Sequence, residues 1–146
     1  MKGMTIIVRK VTQFIAPIIF LFGLYIVFYG HLTPGGGFAG GVIMASAFIL
    51  QILANGEILN KLRQEKSGLE FLESGAILGF LIIAGLGLII SSSFVFFSNF
   101  INKGIVGKLL SAGMIPLENI IVGTEVCAAI TTIFIALVVF KDEVAL

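Results

Sequence analysis

Between Glu118 and Lys141 the chain carries one charged side chain, Glu125. A carboxyl group in so apolar a run is costly to bury, and ionisable groups inside membrane spans commonly serve ion or proton paths. Glu118 lies seven positions earlier, about two helical turns away, so the two carboxylates share one face of a helix. Ile121, Val122, Ala128, Ala129 and Thr132 complete that face, which is narrow, small and partly polar, while Ile130, Phe134 and Leu137 lie on the other side. The second titratable candidate is His31, the single histidine. Imidazole exchanges protons near neutral pH, although a histidine at a helix end also serves as a cap or an interfacial hydrogen-bonding group. No basic residue within the spans of this chain can pair with Glu125. Its carboxyl is therefore either protonated, since burial raises a carboxyl pKa, or partnered by another chain or by water. An ion path and an inter-subunit pair explain it equally well. Glu118 and Glu73 are placed at helix beginnings, where the helix dipole favours a carboxylate.

His31 belongs to the run Gly30-His31-Leu32-Thr33-Pro34-Gly35-Gly36-Gly37-Phe38-Ala39-Gly40-Gly41. Gly35-x-Gly37-x-x-Gly40 has the letters of a dinucleotide fingerprint, with Glu57 some way downstream. That motif needs a preceding strand and a βαβ unit, and here an apolar helix precedes it. The glycines are better read as a tight turn and a helix start stripped of side chains. Gly36-xxx-Gly40, Gly37-xxx-Gly41 and Gly41-xxx-Ala45 are spacings that let a second helix approach closely. If the backbone is unwound here it must line protein or a hydrated cavity, and His31 could then exchange protons with it.

Several function classes are excluded. The formal net charge is +1, which argues against a nucleic-acid binder. One cysteine, Cys127, and one histidine leave no disulfide, no thiolate cluster and no multi-histidine metal site; Cys127 reads as a small buried filler. There is no Gly-x-Ser-x-Gly and no nucleophile–base pair, and Ser91, Ser92 and Ser93 need only satisfy backbone groups. Neither a cofactor nor a metal is expected.

The elements that position these residues follow from where charges fall. Hydrophobic residues make up 58% of the 146 and charged ones 12%, against roughly 25% charged in soluble domains. A chain this short cannot hide that much apolar surface from water. After Lys10 no charge occurs until Glu57. At about 1.5 Å per residue, one helix over that run would far exceed a hydrocarbon layer of roughly 30 Å. The chain must turn at residues 31–37, where Pro34 and three glycines break the helix.

A single all-α membrane domain over residues 1–146 results, with four spans at about 11–29, 38–53, 75–97 and 117–140. Pro116 suits the first turn of the last helix, and Lys141, Asp142 and Glu143 close it in water. Helix three, with Gly75-xxx-Gly79, Gly85 and Gly87, is expected to pack intimately on its neighbours. Lys2, Arg9, Lys10, Lys61, Arg63, Lys66 and Lys141 fall on one side, and Lys103 and Lys108 on the other. Both termini are thus expected in the cytoplasm and the Pro-Gly turn on the far side. The stretch from Val11 to Tyr29 is longer than a signal-peptide core and lacks a small-x-small site after it, so a retained helix is expected. No connection exceeds about twenty residues, which leaves no room for a soluble catalytic domain.

The stretch Gly30–Gly41 resembles the signature of the B subunit of Mrp-type multisubunit cation/proton antiporters, Gly-His-x-x-Pro-Gly-Gly-Gly-Phe-x-Gly-Gly. Gly30, His31, Pro34, Gly35, Gly36, Gly37, Phe38, Gly40 and Gly41 match it, and the number of spans and the length agree. The resemblance implies a non-enzymatic subunit of an assembly that exchanges sodium for protons, packed among other membrane subunits. Within the motif, His31, Pro34 and Phe38 are expected to matter most. Similar B-type subunits occur in the membrane arms of archaeal energy-converting hydrogenases and sulfur-reducing complexes, where the redox centres belong to other subunits.

Three functions follow. The leading one is a cell-membrane transport subunit with Glu125, His31 and Glu118 on an ion or proton path. A second is purely structural, with the glycine faces as subunit contacts. A third is a small homodimeric permease, which the resemblance disfavours.

Overall fold

The computed structural model describes residues 4–56, 66–90, 95–109 and 111–144. Four helices run through them: α1, Ile6–Tyr29; α2, Gly37–Ala54; α3, Lys66–Ile90; and α4, Ile115–Val144. All four are long and apolar enough to cross a membrane, with mean hydropathy between 1.9 and 2.2 in their spans. No strand occurs among the described residues. The all-α, four-span architecture is therefore present.

The helix limits depart from the expected spans where polar residues were taken as stops. Helix α1 begins at Ile6 and carries Arg9 and Lys10 in its first turns. Helix α4 continues through Lys141, Asp142 and Glu143, because charged residues favour helix well enough once lipid no longer forbids them. Helix α3 occupies the whole described stretch Lys66–Ile90, against an expected span of 75–97. Glu73 thus lies inside the helix, and the explanation by the positive end of the dipole fails for it. Ser91, Ser92 and Ser93 fall outside the described residues.

Beyond them the chain folds back along α3. Phe97 adopts φ 58°, and its ring meets that of Phe80 at 5.3 Å between centroids. A Cβ built at Gly87 would stand 2.8 Å from the backbone nitrogen of Ser98. An unbroken apolar run shows what lipid tolerates, and says nothing of where the backbone reverses.

Helix α2 is the hub, packed on α1 and on α4. With α1 it is antiparallel. A Cβ on Gly40 would lie 2.5 Å from Val27 Cγ2 and 2.8 Å from the Gly23 carbonyl oxygen, and one on Gly23 would lie 2.6 Å from Met44 Cγ. One and a half turns further along, Phe20 and Phe48 meet edge to face at 5.5 Å. With α4 the helix is parallel and in step. Gly37 stands on Asn119, Gly41 stands on Gly123 and Val126, and Ile52 joins Ile135, Val138 and Val139 in the buried cluster. Side chains longer than hydrogen would force these backbones apart, so the small-residue spacings act as a contact face.

Helix α3 packs chiefly on α4. Its glycines do not form the intimate seam expected of them. Nothing lies within 4 Å of a Cβ placed on Gly68, Gly75 or Gly85, and Gly79 meets only Ile121 Cδ1 at 4.0 Å. Small residues mark a face that another backbone can approach, and the spacing alone does not name the partner. Among the described residues Gly87 alone of the α3 glycines meets another backbone closely.

Gly40→Leu is expected to destabilise the detergent-solubilised chain by about 2 kcal/mol or more, since no nearby atom but Val27 Cγ2 can yield. Gly85→Ala, facing open space, should leave the melting temperature unchanged. Equal melting of the two variants would show that the α1–α2 crossing does not hold the fold.

Candidate functional site

The motif turn is built outward from the end of α1. The Tyr29 carbonyl accepts the N–H groups of Leu32 at 2.8 Å and Thr33 at 2.9 Å, and the Thr33 hydroxyl at 3.1 Å. One acceptor thus satisfies three donors and stops the helix. After Pro34, Gly35 takes φ 153° and Gly36 φ 100°, the region that L side chains rarely enter. A Cβ on Gly30 would collide with the Gly36 Cα, so the turn closes on its own backbone. Residues 30–36 form a loop fastened at its base, with His31 inside the fastening and Phe38 just past it, 66% exposed.

Both ring nitrogens of His31 are buried, and neither has a hydrogen-bond partner among the described residues. An unpaired buried imidazole loses its water without compensation. The geometry therefore gives His31 no capping or cross-linking role within this chain.

Helix α4 begins at the same end. Glu118 sits in its first turn, with its N–H donated to the Met114 carbonyl at 3.1 Å, and is partly buried. The next residue, Asn119, accepts the Gly37 N–H on Oδ1 at 3.3 Å. Glu118 and the motif turn are thereby brought to one end of the bundle.

Glu125 is not brought there. It lies six residues past Asn119 on α4, about 9 Å deeper, and on the side that faces α3. Half-buried, it lines a cavity of about 180 Å³ with Ile121 and Val122 of its own helix and Ala76, Ile77 and Phe80 of α3. No basic side chain is among those lining residues.

The hydroxyls of the acidic helix add less polarity than their number suggests. Thr124, Thr131 and Thr132 donate to the carbonyls of Ile120 at 2.8 Å, Cys127 at 2.7 Å and Ala128 at 2.9 Å. Each returns its proton to its own backbone, as hydroxyls do in apolar helices. A second cavity of about 320 Å³, bordered by Phe20, Met44, Phe48, Leu72, Cys127 and Thr131 among others, is accordingly apolar. Among the described residues no three His, Cys, Asp or Glu side chains converge as metal ligands would.

Asn119 was invisible to motif reading. Its signal is a spacing: Asn119-xxx-Gly123 on α4 matches Gly37-xxx-Gly41 on α2, as parallel helices in step require.

Four helices, each long and apolar enough to cross a membrane, and three of them crossing on glycine, define a multi-pass membrane protein. The chain belongs to the family of domains related to the MnhB subunit of the Na+/H+ antiporter, whose model matches residues 7–132. An uncharacterized protein of Methanocaldococcus jannaschii is 38% identical over 114 residues, covering 75% of this chain and 43% of that protein. "Putative antiporter subunit mnhB2" of Staphylococcus aureus (strain Newman) is 50% identical over 54 residues, 37% of this chain and 38% of the relative. A chain of the membrane-bound sulfane sulfur reductase, an archaeal respiratory membrane complex, superposes with a TM-score of 0.72 at 30% identity, over 90% of this chain and 57% of that one. The chain thus spans less than half the length of the curated relatives it matches.

Because His31 makes no hydrogen bond among the described residues, His31→Phe should leave thermal stability within about 1 kcal/mol of the parent. A larger loss on melting in detergent would mean that the imidazole is paired after all.

Proposed function

We propose that this chain is a non-catalytic membrane subunit of a multisubunit Na+/H+ antiporter, residing in the cell membrane with both termini in the cytoplasm. It contributes part of an ion or proton path and packs against other membrane subunits. The observation that carries this reading is the family match across residues 7–132, on a chain with two titratable side chains in partly buried positions. His31 has no partner for either buried nitrogen among the described residues, and Glu125 faces a cavity with no cation on its walls. A group in that condition is one that changes protonation or awaits a partner.

In this reading His31 exchanges protons at the motif turn and Glu125 inside α4. Glu118, at the positive end of its helix, stands at the entrance. Pro34, Gly35, Gly36, Gly37, Gly40 and Gly41 keep the turn closed and α2 tight on its neighbours, Gly30 fastens the base, and the exposed Phe38 contacts another subunit. Redox chemistry in any host complex belongs to partner chains.

A second host has its own support, the solved neighbour from an archaeal respiratory membrane complex. An antiporter-like module of a membrane-bound hydrogenase or sulfur reductase would use the same subunit for the same transport step. The co-purifying chains separate these hosts: antiporter-type subunits alone favour the antiporter, and hydrogenase-like companions favour the respiratory complex.

Sodium-driven proton movement in vesicles holding the whole complex tests the path. Glu125→Gln and His31→Ala should each lower exchange per assembled complex by about tenfold or more, the scale of losing one proton-transfer group. If both variants leave exchange and assembly intact, the path assignment is wrong and the chain is structural.

A further inference from the structure

We propose that Asn119 is the positioning residue of the motif turn, holding His31 in place by capping α2 from α4. The inference rests on the reading of His31 as a path residue and adds a residue that the motif does not contain.

Helix α2 starts without a cap of its own. Its N-cap residue, Gly36, has no side chain and makes no cap bond. The first N–H to find a carbonyl one turn back is that of Gly40, bonded to Gly36 at 3.1 Å. The N–H groups of Gly37, Phe38 and Ala39 precede it and have no partner in the helix itself. In water, solvent would take them. At a buried helix start within a membrane protein, an unpaired donor is expensive. Gly37 is buried, and its N–H reaches Asn119 Oδ1 at 3.3 Å across 82 residues of chain. An Asn or Asp side chain is suited to this place, since either offers an oxygen that accepts from the first N–H groups of a helix.

The contact is more than one hydrogen bond. A Cβ on Gly37 would stand 2.5 Å from the Asn119 carbonyl oxygen and 3.1 Å from its Cα, and one on Gly36 would stand 3.8 Å from Oδ1. The backbone of α4 therefore sits directly on the start of α2. Gly36 in turn abuts Gly30, so whatever fixes residues 36 and 37 also fixes the base of the loop that bears His31. The chain of contact runs from Asn119 to Gly37, Gly36, Gly30 and His31. The same α4 turn carries Glu118.

The test uses the assembled complex in vesicles, with Asn119→Asp, Asn119→Leu and Asn119→Ala. Asp keeps an accepting oxygen, Leu keeps the bulk without it, and Ala leaves room. Exchange per assembled complex is read beside the rate at which diethyl pyrocarbonate modifies His31, followed by peptide mass spectrometry. Leu and Ala should lower exchange by about three- to tenfold, the range that one buried neutral hydrogen bond supports. Both should also speed modification of His31 at least severalfold, and Asp should restore both readings.

The proposal is overturned if Leu and Ala assemble with unchanged exchange and unchanged His31 reactivity. It is equally overturned if only Asp assembles, since Asn119 would then be a folding cap and nothing more. If His31→Ala abolishes exchange while Asn119 variants do nothing, the positioning role alone falls. If His31→Ala is itself without effect, the path reading falls with it.

Discussion

The backbone-to-backbone crossing of α1, α2 and α4 is the constraint on which the rest of the molecule depends. In lipid the burial of apolar side chains no longer drives helices together, because acyl chains are as apolar as leucine. What remains is close packing, and dispersion fades quickly with distance. Gly23, Gly40, Gly41 and Gly123 bring three helices near enough for backbone atoms to touch. A methyl group at any of them would separate backbones that now lie in contact. Those four positions do for this chain what a hydrophobic core does for a soluble domain.

The motif turn follows from that crossing. Because α1 and α2 meet at Gly23 and Gly40, only a short loop can join Tyr29 to Gly37. Because α2 and α4 run in step, the loop is delivered to the first turn of α4. Tyr29 satisfies its first half by accepting three donors, and Asn119 satisfies its second half from another helix. The glycines with positive φ are the consequence of making so sharp a return between touching helices. The His31 ring nitrogens are buried as a result, without a hydrogen-bond partner among the described residues.

Much of this was legible in the chain, for reasons that can be named. Charges are costly in hydrocarbon, so the charge-free intervals from Lys10 to Glu57 and from Glu73 to Lys103 marked spans. Pro34 with three glycines marked the turn between α1 and α2. The small-residue spacings of α2 marked a contact face, and the structure uses Gly37, Gly40 and Gly41 in that way. What was not legible is of a different kind. Helix ends outside lipid obey no charge rule, so α3 already includes Lys66, and the reversal near Phe97 was missed. Glycine spacing has no address, so α3 was assigned a packing seam that its neighbours within the chain do not supply. Asn119 carries no family letter or charge to draw notice, and its partner lies 82 residues away.

The two titratable candidates sit in unlike surroundings, and the difference bears on how a path through this subunit would be divided. His31 belongs to the side where backbones touch and where Gly30 and Gly37 tolerate no added carbon. Glu125 belongs to the seam between α3 and α4, where cavities of about 280 Å³ and 180 Å³ separate the helices and Gly75 meets nothing. Local opening has a low free-energy cost where buried contacts are few and a high cost where they are dense. His31 thus lies on the densely packed side and Glu125 on the sparsely packed one. The open glycine face of α3 bounds that sparse side, so a helix from another subunit lying there would narrow the space around Glu125 without disturbing His31. The tight crossing thereby keeps the His31 side of the bundle close-packed while the α3–α4 seam beside Glu125 stays open.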